Sequence, residues 1–202
     1  MRLVPRSEWG AARPRCETPL PAAEARGVAV HYTAMAADEQ DRHANCAGRV
    51  RGVQRFHMSP SPSDPTKPWC DIAYNHVFCR HGYVFEGRGF GLRSAAQGTK
   101  EGNDHYFAVC FLGNDNVHRD DLTDAGRHAL SELILEYRRR YPHARQVHPH
   151  SFFHPTNCPG DELRRYIAHR GWREHERPAP VRIPSQIARW LRRQAQALVR
   201  TL

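Results

Sequence analysis

Apolar residues arrive in two rhythms along this chain. Gly27 to Ala34, GVAVHYTA, is a short run of β-branched and small residues that suits a central strand, with His31 at its C-terminal end. From Asp41 to His57 the rhythm changes: Ala47, Val50, Val53 and Phe56 recur at helical spacing with arginines mostly elsewhere, which predicts a helix. Ser59 to Pro68 carries four prolines and predicts an irregular loop. CDIAYNHVFCRHGYVFEGRG then reads as two strands, Ile72 to Cys79 and Tyr83 to Glu86, joined by a turn at Arg80 to Gly82. His105 to Asn114 is a further buried strand. Thr123 caps a long helix whose apolar side is Ala129, Leu130, Leu133, Ile134 and Tyr137, ending near Tyr141 and Pro142. A short helix is expected over Asp161 to His169.

Strands and helices mix here without a strict alternation, and the central hairpin argues against a purely parallel sheet. The predicted fold is therefore α/β, a central mixed β-sheet flanked by helices. One domain is expected over residues 1–170. Residues 171–202 would add a Pro-rich connection and a basic amphipathic C-terminal helix, Ser185 to Leu202, with Ile187, Trp190, Leu191, Leu198 and Val199 on one face. That helix reads first as packed back on the domain, and alternatively as a basic arm for an anionic surface or a partner.

Composition narrows the picture only slightly. At 202 residues, 40% hydrophobic and 25% charged, the chain is long enough to bury one full core, and no tandem repeat is visible. A net charge of +9, mostly from arginine, favours an anionic polymer: nucleic acid, an acidic cell-wall polymer or a membrane surface. No Gly-rich phosphate loop or RNA-binding signature supports nucleic acid, which is not an expected partner. The first fifteen residues lack a secretory apolar region and no run of about 18 apolar residues occurs, so a cytoplasmic, monomeric protein is expected as synthesised, with any route to a cell wall supplied separately. On that reading the six cysteines are expected to be reduced, most of them small core residues.

The densest chemistry lies in HPHSFFHPTNCPGDEL, His148 to Leu163. Histidine and cysteine are good zinc ligands, and a catalytic zinc takes three protein ligands with one position open. His150 and Cys158 on one loop could join His31 at the end of a strand, but His148 and His154 fit the spacing equally well. Cys158 as a nucleophile activated by a nearby histidine is a second reading, and a histidine-rich polar surface the plain one.

Six blocks in order shift that balance: RSEWGA (Arg6 to Ala11), VAVHYTA (Val28 to Ala34), VRGVQRFHM (Val50 to Met58), WCDIAYNHVFCRHGYVFEGRGF (Trp69 to Phe90), FAVCFLGN (Phe107 to Asn114) and HSFFHPTNCPG (His150 to Gly160). Together they resemble the zinc-dependent N-acetylmuramoyl-L-alanine amidases, a family shared with peptidoglycan recognition proteins and amidase-type phage lysozymes. The resemblance runs from about Arg6 to Tyr166 and ends before the C-terminal segment.

What it implies is specific. His31, His150 and Cys158 would be the ligands of a zinc ion, the family's spacing to the Cys-Pro-Gly motif selecting His150 over His148 and His154. Tyr74 would be the catalytic tyrosine and Thr156 a second group helping to position water or oxyanion. His57, Asn75 and, more distantly, Asn103 would contact peptidoglycan or a muropeptide. The reaction would be hydrolysis of the amide between N-acetylmuramic acid and L-alanine. A binding module without turnover, or the same chemistry on soluble muropeptides or another amide, are the alternatives. No Glu or His stands out to protonate the leaving nitrogen. Departures from the family pattern are also visible: Cys46 matches half of a small disulfide whose other half is missing, and Gln97 stands where a groove histidine is common.

Overall fold

The computed structural model describes residues 1–35, 42–114 and 122–175, and the expected C-terminal helix lies outside them. A six-stranded sheet runs through the domain: β1 (Arg2–Val4), β2 (Gly27–Tyr32), β3 (His76–Phe78), β4 (Tyr83–Glu86), β5 (Tyr106–Phe111) and β6 (Gln146–Pro149). Their spatial order is β1-β4-β3-β5-β2-β6. Only the β3–β4 hairpin is antiparallel; every other neighbouring pair is parallel. The mixed α/β architecture expected from the sequence is the one observed.

Among the described residues five α-helices surround the sheet: α1 (Arg6–Trp9), α2 (His43–Met58), α3 (Lys100–His105), α4 (Asp124–Arg140) and α5 (Asp161–Ala168). Thr123 caps α4 as expected, its hydroxyl accepting from the Gly126 amide. The period-2 alternation of the strands sorts side chains between two cores. Val28, Val30, Phe107, Val109, Phe111, Phe78 and Val84 meet Leu130, Leu133, Ile134 and Tyr137 of α4. On the other face Val77, Phe85, Cys110 and Leu112 meet Trp9 and Cys46, Val50 and Val53 of α2. The first of these cores continues beyond residue 170: Trp172 is 3% exposed, and the Arg138 guanidinium lies 3.9 Å above its ring.

Three local expectations give way. The strand read over Ile72 to Cys79 is shortened to His76–Phe78. Ile72 to Asn75 form a loop because Asp71, 2% exposed, ties that segment elsewhere: it accepts from the Ile72 amide at 2.8 Å, from Gln54 Nε2 at 2.6 Å and from Arg6 Nη1 at 2.8 Å. β1 and β6 went unread because they are edge strands of three and four residues, too short to set up a periodicity. The expectation that all six cysteines are reduced is also corrected: Cys16 and Cys70, 54 residues apart, form a disulfide. The backbone brings them together, since the Arg15 amide donates to the Cys70 carbonyl at 2.8 Å.

Candidate active site

Topology assembles the site at the C-terminal end of the parallel strands, where open α/β sheets commonly bind ligands. His31 is the next-to-last residue of β2 and pairs in register with Cys110, so its side chain leaves the sheet on the α2 side. β6 runs parallel beside β2 with Pro149 opposite Val30, which delivers His150 just past the strand end and next to His31. The chain then turns back. The Phe153 amide donates to the His150 carbonyl, and the Ser151 amide to the Cys158 carbonyl, which closes the loop and returns Cys158 to the same place.

Donor atoms of His31, His150 and Cys158 all lie within 4.8 Å of one another. The Cys158 thiol stands 3.8 Å from His31 Nδ1 and accepts from the Tyr32 amide at 3.3 Å. Nε2 of His31 and Nε2 of His150 are buried and make no hydrogen bond. Burial, then the nearby His150, holds His31 well below its usual pKa. Burial also lowers His150, partly offset by a hydrogen bond to the Gln97 backbone, with His154 lowering it further. Both imidazoles are therefore neutral, the state that ligates metals. Burial pushes the Cys158 thiol up to about 12, against the Tyr32 amide and Arg164; a cation among these donors would reverse that preference. Two imidazoles and a thiol, with buried lone pairs unused, are a donor set that fits a metal ion.

The alternatives left open by spacing separate in three dimensions. His148 stacks on Phe152 with ring centroids 3.8 Å apart, and its Nε2 lies 3.1 Å from Gln146 Oε1. His154 is exposed, its ring 6.2 Å from that of His150. Neither belongs to the cluster with His31 and Cys158.

Tyr74 borders the cluster, its ring centroid 5.5 Å from His31 and 5.5 Å from His57. Burial above all, with Cys110 and Cys158 nearby, keeps its phenol protonated far above the ordinary value. The loop carrying it is clamped on both sides: the Arg88 amide donates to the Tyr74 carbonyl at 3.0 Å, and Arg88 Nε to the Ile72 carbonyl at 2.7 Å. Gly87 has to be glycine here, because a Cβ on it would stand 2.3 Å from the Tyr74 carbonyl oxygen. His57 Nδ1 accepts from the Ala73 amide at 3.1 Å, which leaves the proton of the neutral ring on Nε2. Burial, then Lys67 and Arg88, lowers His57 to about 3. Both residues line a groove of about 510 Å³ together with Thr33, Met35, Gly52, Val53 and Phe56. Thr156 sits on the loop between the two ligand positions, its hydroxyl accepting from the Cys158 amide at 3.2 Å.

Both asparagines make contacts within the scaffold. Asn75 is fully buried and spends its amide on the scaffold, donating to the Gly89 and Leu92 carbonyls and accepting from the Ala108 amide. Asn103 accepts from the Gln97 amide at 3.0 Å, and so supports the segment that holds His150. Gln97 itself is buried, its side chain bonded to the Tyr106 carbonyl and to Ser94. Asp71, Arg6 and Arg88 were not singled out from the sequence, yet they hold the Tyr74 loop. Charged residues inside the RSEWGA, WCDIAYN and FEGRG blocks were the available signal.

Comparison with known proteins resolves the ancestry of this arrangement. A family described as N-acetylmuramoyl-L-alanine amidase matches residues 21–161. The chain belongs to that family. Among its amidase-family relatives, peptidoglycan recognition protein 1 of Bos indicus is 32% identical over 167 residues, covering 82% of this chain and 82% of that protein. An N-acetylmuramoyl-L-alanine amidase of Sus scrofa is also 32% identical, over 80% of this chain but only 26% of its own length. The Drosophila recognition protein PGRP-LB superposes with a TM-score of 0.70 at 25% identity, over 83% of this chain and 92% of that one. The family contains hydrolases and also recognition proteins without turnover. These relatives overturn the cytoplasmic expectation, since they are secreted or extracellular proteins. The Cys16–Cys70 disulfide agrees with that correction, because such bonds persist in oxidising surroundings. No helix among the described residues is long and apolar enough to cross a membrane.

Proposed function

We propose that the protein is a zinc-dependent amidase that hydrolyses the bond between N-acetylmuramic acid and the L-alanine of a peptidoglycan stem. The observation that supports this reading best is the gathering of His31, His150 and Cys158, donors within 4.8 Å, beside Tyr74 and its groove. Bound there, zinc would polarise the amide carbonyl and lower the pKa of water toward ~7. The remaining work falls to the chain. Tyr74, kept protonated by burial, donates a hydrogen bond to the oxyanion that develops on the carbonyl. Thr156 fixes the backbone at Cys158 and keeps a hydroxyl proton available to orient substrate or water. His57, neutral because of its low pKa, binds substrate through Nε2–H rather than acting as a proton donor. Val53 and Phe56 supply apolar wall along the groove.

The test is incubation of zinc-loaded protein with a defined muropeptide, followed by mass spectrometry of the products, with Cys158→Ala alongside. Release of free stem peptide by the intact protein alone is the expected result. Saturable binding with no cleavage would replace this reading by a recognition module. Full activity in Cys158→Ala would remove the metal assignment. Intact sacculi offered beside soluble fragments then define the natural form of the substrate.

A further inference from the structure

A second group of soft donors lies apart from the site and shares no residue with it. His43 and Cys46 stand in the first turns of α2, three positions apart and so on one face of the helix. Cys79 directly follows β3, at the start of the turn into β4. Donor atoms of these three residues all lie within 4.8 Å of one another. Both thiols are buried, at 0% and 1% exposure, and neither is in a disulfide. The His43 ring stacks on Tyr83, with centroids 3.4 Å apart and planes 15° from parallel, so its orientation is set by packing. Its Nδ1 is buried and closes no hydrogen bond of normal geometry.

We propose that His43, Cys46 and Cys79 form a second, structural metal site for a zinc-type divalent ion, which staples the start of α2 to the β3–β4 hairpin. Two thiolates and one imidazole are the donor classes that zinc selects, and two thiolates neutralise its charge, which suits a buried position. His81 offers a fourth position for test, its ring 6.2 Å from that of His43 and edge-on to it. Binding exchanges the two thiol protons for the ion and needs no oxidant, whereas joining Cys46 to Cys79 would require one that accepts two electrons.

Metal stoichiometry of the full chain separates this site from the first. After chelation, loading with zinc and dialysis, the native protein is expected to retain two equivalents by elemental mass spectrometry. Cys158→Ala should retain one, and so should the Cys46→Ser/Cys79→Ser protein. Substituting cobalt into Cys158→Ala should still give thiolate charge-transfer absorption, lost when Cys79→Ser is added. Should the double variant fail to fold, His43→Ala in the Cys158→Ala background keeps the question open to measurement: its remaining equivalent should leave at a lower chelator concentration. A folded Cys158→Ala protein that retains no zinc would overturn the proposal. So would peptide mapping that finds Cys46 joined to Cys79 in protein kept with excess zinc.

Discussion

On β2, Val28 and Val30 turn toward α4 while His31 turns toward α2, so one strand serves both a sealed apolar core and a cluster of metal-type donors. The α4 side is filled by Leu130, Leu133, Ile134 and Tyr137, and its histidine, His76, is enclosed by Phe90 and Tyr137 with Nδ1 2.7 Å from the Tyr137 hydroxyl. The α2 side also buries histidine, but there a second imidazole and a thiol converge on it. His76 and His31 are equally buried and both leave Nε2 without a hydrogen bond. Burial of a histidine thus says little about function; the company of other donors decides.

The sharpest way to break this contrast is to exchange one residue on each face. His31→Ala should abolish hydrolysis while leaving a folded protein, read as loss of product with a retained thermal transition. Leu133→Ala should do the reverse, costing about 2–5 kcal/mol in a denaturant melt through cavity formation, with activity per folded molecule preserved. Comparable loss of stability in both would erase the functional distinction between the faces. Tyr74→Phe comes next: removing one oxyanion donor should lower kcat by about 10²–10³, with little change in KM.

Acid sharpens the comparison from both sides at once. His57 on the α2 face and His76 on the α4 face each have a folded pKa of about 3 against an ordinary 6.5, in each case chiefly through burial. The unfolded chain therefore takes up these protons first as pH falls. Their contribution to stability is complete above pH 6.5 and is lost as pH falls toward 3. Denaturant melts across that window should show a slope that His57→Gln and His76→Gln each reduce by one proton. The smallest effect is expected at the edge of the α4 core, where Arg138→Ala should cost about 0.5–2 kcal/mol by removing a cation from the face of Trp172.

Legibility in the sequence followed the same division. β2 and β5 were readable because burial on both faces makes a continuous apolar run of six residues, and α4 because burial of one face imposes a helical period. β1 and β6 were not, since a short edge strand gains its identity from its neighbour. At the site, local chemistry narrowed the candidates to a histidine and cysteine loop, and the family resemblance chose His150. Geometry then separated it from His148 and His154, a step no spacing rule could supply. Asn75 shows the opposite limit, because an amide that binds substrate and one that satisfies backbone groups look alike in one dimension. The Cys16–Cys70 bond and the His43, Cys46 and Cys79 cluster arise only from tertiary contact.

His31 and Cys158 are 127 residues apart in the chain yet share one donor cluster. A ribosome making this protein has therefore released the first donor long before the last one exists. Every nascent chain shorter than residue 158 lacks the thiol, and so does any proteolytic fragment cut between the two. The hydrolytic capacity proposed for the fold is in this sense a property of its completion, withheld during synthesis and erased by a single internal cleavage that separates the pieces.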